Sequence, residues 1–192
     1  MIEKARRFAT VAHGVQRYGA QCYPAHLATV VATLRKYDVE DENILAAAWL
    51  HDVVEDTTVT LDTIRTRFGD DIAALVDAVT TRPGASRRER TLATLPALHE
   101  NDRARLLKLA DRVANVEASW KAHDWRLFLY YEEHKIMRPA LLPVAPCASE
   151  ASLWNHLDTL LGYRAMPGNA DDVAKNQPSN LKALILHNRH SR

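Results

Sequence analysis

Ile44-Leu45-Ala46-Ala47-Ala48-Trp49-Leu50-His51-Asp52-Val53-Val54-Glu55-Asp56 is the stretch on which the reading of this chain turns. Its first seven residues are apolar and suit the interior of a helix. Its last six carry one imidazole and three carboxylates. A helix running through residues 42–56 sets Glu55 one turn beyond His51 and Asp52, and Asp56 one turn beyond Asp52. So much charge at the end of a buried helix is costly unless it is paired or bound to a metal. A second His-Asp pair, His123-Asp124, acts as a control. No acid follows it at helical spacing, so it reads as a surface turn with Asp124 capping the next helix.

Two further segments complete a candidate site. His26 follows the Tyr23-Pro24 turn at the start of a helix. Lys108, Asp111 and Asn115 fall at i, i+3 and i+7 of a strongly helical run, so they share one face. His26, His51, Asp52 and Asp111 form a set of two imidazoles and two carboxylates. Nitrogen and oxygen donors without thiolate suit Mn²⁺, Fe²⁺ or Mg²⁺ better than a structural zinc site. One such ion keeps open positions, where it lowers the pKa of a water and neutralises charge on a phosphate. Glu55 and Asp56, spare beside it, are placed to orient or deprotonate that water.

Around this site the chain reads as all-α. Helices are expected over residues 2–13, 25–37, 42–56, 69–80, 88–100, 103–120, 124–138 and 149–162. Glycine is scarce, at 6 residues, and no alternating strand is bounded by a hairpin signal. At 192 residues and 47% apolar content the chain suits one folded domain. Residues 1–165 are assigned to it and 166–192 to a C-terminal tail, in which Leu181 to Leu186 is a short apolar patch.

Composition excludes several classes. Lys plus Arg number 25 against 24 Asp plus Glu, which gives no global attraction to nucleic acid or membrane. Arg82, Arg87, Arg88 and Arg90 form the one local basic cluster. Cys22 and Cys147 stand far apart without metal-type spacing, so a reducing cytoplasm is expected rather than a disulfide scaffold. No run of about 18 apolar residues predicts a membrane span, and the N-terminus lacks a signal-peptide pattern. His99, His134, His156, His187 and His190 have no partners at ligand spacing and are expected at the surface. A homo-oligomer stays open.

Four motifs carry a family resemblance: Ala12-His13-Gly14-Val15-Gln16-Arg17, Tyr23-Pro24-Ala25-His26, Ala47 through Thr57, and Lys108-Leu109-Ala110-Asp111-Arg112-Val113-Ala114-Asn115. Over about residues 5–120 they resemble the HD-domain hydrolases of the RelA/SpoT group, which cleave the alarmones ppGpp and pppGpp. The resemblance implies an HD-type helical bundle and metal ligands at His26, His51, Asp52 and Asp111, usually holding one Mn²⁺. It also implies catalytic acids at Glu55 and Asp56, Arg17 over the nucleobase and Asn115 against the ribose and phosphates. Lys108 and Arg112 are candidates to steer phosphate. The chain is too short for the synthetase and regulatory domains of the full-length enzymes and looks like a stand-alone small alarmone hydrolase.

The expected activity is therefore release of pyrophosphate from the 3′ position of (p)ppGpp or its adenine counterparts. The alternatives are another nucleotide phosphohydrolase (a 5′-nucleotidase or NADPH 2′-phosphatase) and a nucleotide-sensing module without turnover. The chain departs from the family at Tyr18, where a basic residue is usual, and at Glu117-Ala118, where Arg and then Thr are usual.

Overall fold

A computed structural model describes residues 1–163, and the expected domain boundary and tail lie outside the described residues. Among those residues the chain is almost wholly helical. The order is α1 (Ile2–His13), a two-stranded antiparallel hairpin of β1 (Arg17–Tyr18) and β2 (Gln21–Cys22), then α2 (Tyr23–Lys36), α3 (Glu42–Leu50) and α4 (Val53–Asp56). After these come α5 (Leu61–Phe68), α6 (Asp70–Val79), α7 (Arg87–Glu100), α8 (Asp102–Lys121), α9 (Arg126–Leu141) and α10 (Ala148–Leu161).

The centre follows from side-chain size and pattern. Every residue from Ile44 to Leu50 is buried, so beyond its first two residues α3 has no solvent face and must lie inside the bundle. Ala5 and Ala9 of α1 and Ala46 to Ala48 of α3 are wholly covered, and their small side chains let these two helices approach closely. Asp41 caps α3, its carboxylate accepting the amides of Asn43 and Ile44. The long α8 runs through the middle and packs on α2, α3, α6, α7, α9 and α10. Within it, Arg105 bonds Glu150 of α10 at 2.5 Å, with both side chains nearly inaccessible, so the ion pair pins α8 to α10.

The structure corrects the sequence reading in four places. The helix expected over residues 42–56 is two: α3 stops at Leu50, Asp52 sits at φ −99° and ψ −6°, and α4 is a single turn. The break turns the Asp52 carboxylate away from the helix surface, towards α2. Helix α5 went unforeseen because its only buried residues are Ile64 and Phe68, set in threonine-rich sequence with too thin an apolar stripe to register. The hairpin was missed because its strands are two residues each, around a turn at Gly19 with φ 58°.

The histidines are the fourth. His134 is fully buried and bonds Asp158 at 2.7 Å, and half-buried His156 meets the Tyr37 hydroxyl at 2.6 Å. Packing of separate helices brings distant partners to both, which a search for nearby ligands cannot see. His99 is exposed as expected; His187 and His190 lie outside the described residues.

Candidate metal centre and adjoining cavity

Three parts of the chain meet at the candidate centre. The second turn of α2 supplies His26, the α3–α4 junction supplies His51 and Asp52, and the middle of α8 supplies Asp111. His26 Nε2 lies 3.2 Å from Asp111 Oδ1 and 3.8 Å from Asp52 Oδ2; His51 Nε2 lies 3.1 Å from Asp52 Oδ2 and 3.6 Å from Asp111 Oδ1. One donor atom each from His26, His51 and Asp111 falls within 4.8 Å of the others, a grouping able to hold a metal ion. Asp52 adjoins this trio, and its Oδ2 also accepts the Tyr23 hydroxyl at 2.5 Å.

The donors fit a cation. His51 Nδ1 donates to the Ala48 carbonyl at 2.9 Å, which leaves Nε2 facing the cluster. That Nε2 is buried and makes no well-formed hydrogen bond. The local field points the same way. Burial disfavours charge on His51, but the facing carboxylates of Asp52 and Asp111 outweigh it and raise its pKa well above the usual range. Burial likewise works against the two carboxylates. Even so, His51 holds Asp52 down at about 2, and Lys108 with the two histidines holds Asp111 well below the ordinary value.

A cavity of about 300 Å³ opens from this centre between α7, α8 and α9. Glu55, Lys108, Asp111 and Asn115 are among the residues that line it, together with Arg87, Arg90, Arg112 and Tyr130. Glu55 is held at the mouth by the Thr81 amide, which donates to Oε1 at 2.8 Å. Asp56 is not in that lining; it accepts the side-chain amide of Gln16 at 2.9 Å. Asn115 donates through Nδ2 to Asp111 Oδ1 at 2.6 Å and accepts the Tyr18 hydroxyl on Oδ1 at 2.5 Å.

Not every expected residue reaches the cavity. Arg17 is exposed and bonds the Ala20 carbonyl within its own hairpin. Of the basic cluster, Arg87 and Arg90 line the cavity, whereas Arg82 makes a two-pronged bond to Asp77 at 2.9 and 3.1 Å and Arg88 is exposed. Arg112 lines the cavity but is tied to Glu133 at 3.0 Å, and Lys108 lies 3.5 Å from Asp111. Glu117 faces His156 at 3.5 Å instead of the cavity. The hydrogen bonds of Gln16 to Asp56 and of Tyr23 to Asp52 were not foreseen from the sequence. Both donors lie in the motifs already singled out, and that was the only signal available.

The sequence profile of the HD domain matches residues 5–135. A guanosine-3′,5′-bis(diphosphate) 3′-pyrophosphohydrolase from Aquifex aeolicus is 33% identical over 159 residues, covering 80% of this chain and 22% of that one. The Drosophila melanogaster MESH1 pyrophosphohydrolase is 39% identical over 79 residues, 41% of this chain and 44% of its own. The chain thus spans well under two thirds of these relatives. Among solved structures, one described as a metazoan ortholog of SpoT that hydrolyses ppGpp superposes with a TM-score of 0.68 at 24% identity, covering 85% of this chain and 96% of that one. A Listeria monocytogenes protein superposes with a TM-score of 0.56 at 25% identity, covering 72% and 94%.

Proposed function

Because the chain belongs to the HD-domain family, we propose that it is a divalent-metal-dependent hydrolase releasing pyrophosphate from the 3′ position of (p)ppGpp or (p)ppApp. Its curated relatives from Aquifex and Drosophila carry that activity in their names. The observation that carries the reading is the adjacency of the His26–His51–Asp111 trio to a cavity walled by Glu55 and several cations. Mn²⁺ is the ion we assign, held by His26, His51, Asp111 and Asp52; when bound it lowers the pKa of water and stabilises charge on the transferring phosphoryl group.

The chain's own groups divide the remaining work. Glu55, at the cavity mouth with Oε1 on the Thr81 amide, keeps its other carboxylate oxygen for a proton of the attacking water. Asp56, fixed by Gln16, takes part in proton handling beside it. Lys108 remains charged, because Asp111, Glu55 and Asp52 outweigh the burial that opposes its charge. It and Arg90 present cations to the phosphates. Arg112 is braced by Glu133, and Asn115 offers the second hydrogen of its amide to the ribose side. Arg17 would reach the base only by leaving its hairpin carbonyl.

A cytoplasmic setting accords with Cys22 and Cys147, both free and exposed. No helix among the described residues is long and apolar enough to cross a membrane. The test is a panel of ppGpp, pppGpp, pppApp, NADPH and nucleoside monophosphates with Mn²⁺, products identified by mass. Pyrophosphate with GDP, GTP or ATP is expected. Orthophosphate would make the chain a different phosphohydrolase, and tight binding without product a sensor.

A further inference from the structure

The structure gives the phenol of Tyr18 a defined task. Tyr18 ends β1, and its ring stacks on His26, with centroids 4.5 Å apart and planes 16° from parallel. Its hydroxyl lies 2.5 Å from Asn115 Oδ1, and Asn115 Nδ2 lies 2.6 Å from Asp111 Oδ1. The direction of this chain of bonds follows from chemistry. An ionised carboxylate only accepts, so the amide must turn its NH₂ towards Asp111. Its carbonyl oxygen then faces Tyr18, which must donate.

The oxygen of Asp111 fixed in this way is the one 3.2 Å from His26 Nε2 and 3.6 Å from His51 Nε2. We propose that Tyr18 is a positioning residue that, through Asn115, aims Asp111 Oδ1 at the ion. A single side chain thereby braces two of the expected ligands: it packs flat on the imidazole of His26 and orients the carboxylate of Asp111. Outer partners of this kind commonly govern metal affinity by ten- to a hundredfold. The inference rests on the metal-binding reading of the cluster and on nothing about the identity of the substrate.

The test is Mn²⁺ titration of the purified full chain by calorimetry, with no substrate present. Tyr18→Phe keeps the ring on His26 and deletes only the hydroxyl; it should bind Mn²⁺ about tenfold more weakly. Asn115→Ala should weaken binding by a similar factor. The double variant should match Asn115→Ala within about twofold, because both changes cut one chain of bonds. Tyr37→Phe, which removes a hydroxyl bonded to His156 instead, should leave Mn²⁺ binding unchanged. Wild-type affinity in Tyr18→Phe, multiplying losses in the double variant, or an equal loss in Tyr37→Phe would each overturn the inference while leaving the metal reading in place. A wild-type chain that binds no Mn²⁺ would overturn both.

Discussion

The side-chain amide of Gln16 bonds Asp56 across 2.9 Å, joining the turn after α1 to the end of α4. Its orientation is set from behind: Gln16 Oε1 lies 2.8 Å from His13 Nδ1, and the His13 ring stacks on Tyr23 at 4.3 Å. Tyr23 in turn donates to Asp52. One set of contacts thus runs from α1 to Asp56 and to Asp52, and its members can be removed singly.

Gln16→Ala removes the side-chain amide that Asp56 accepts. We expect kcat to fall by about tenfold, a fraction of the ~10²–10⁴ that general acid–base catalysis supplies. Mn²⁺ affinity should stay within twofold or so, because Gln16 touches no proposed ligand. Steady-state kinetics alongside Mn²⁺ titration check both halves.

Asp52→Ala and Glu55→Ala should separate metal retention from turnover. The first removes a carboxylate 3.1 Å from His51 Nε2, so both metal content and activity should be lost. The second leaves the trio intact and should lower kcat by about 10²–10⁴ with metal content unchanged. Metal analysis of dialysed protein and turnover assays decide it; wild-type rate in Glu55→Ala would remove that residue from the proton path.

Mn²⁺ should raise the unfolding temperature of the wild type. At a free concentration a hundredfold above Kd, binding contributes about 2.7 kcal/mol. Asp52→Ala should show little of this shift, which differential scanning calorimetry with and without Mn²⁺ would record.

Glu150→Ala should be severely destabilising. It takes from the Arg105 guanidinium, 4% exposed, its buried partner in the α8–α10 interface and leaves it only the exposed carboxylate of Asp102 and the carbonyls of Leu98 and His99. Breaking such a buried pair costs about 3–5 kcal/mol, whereas replacing both members by apolar residues of similar volume is often neutral or favourable. Chemical denaturation of Glu150→Ala and of the Arg105→Met/Glu150→Leu double variant tests the contrast.

Glu133 should make stability depend on pH. Burial pushes its carboxyl upward, but Arg112 and Arg87 outweigh that and hold it below its usual 4.5. A depressed folded-state pKa means that the stabilisation is complete above the unfolded value and disappears as pH falls through the folded one. Glu133→Gln should therefore cost about 2 kcal/mol near neutrality. The gap to wild type should close as pH drops below about 4.5, as urea melts across that range would show.

What could be read from the chain was set by the distance over which each signal acts. His26, His51, Asp52 and Asp111 stood out because polar residues on apolar helices are conspicuous within a few turns of sequence. The structure sets each of the two imidazoles 3.1–3.8 Å from both carboxylates. The break at His51–Asp52 was not legible, since nothing in a helix-forming run announces that Tyr23, on another helix, will draw Asp52 aside. His134 and Asp158 escaped for the same reason, being 24 positions apart. Helix α5 escaped for a local one: threonine is a poor helix signal, and Thr60 caps by accepting the Thr63 amide, which only coordinates display.

The donors for the ion come from α2, from the α3–α4 junction and from α8, whose apolar faces also make up much of the bundle's interior. Filling that cluster would therefore damp local opening in three helices together. Their backbone amides should exchange with deuterium more slowly in step as Mn²⁺ is added, while those of α5, remote from the donors, keep their own pace.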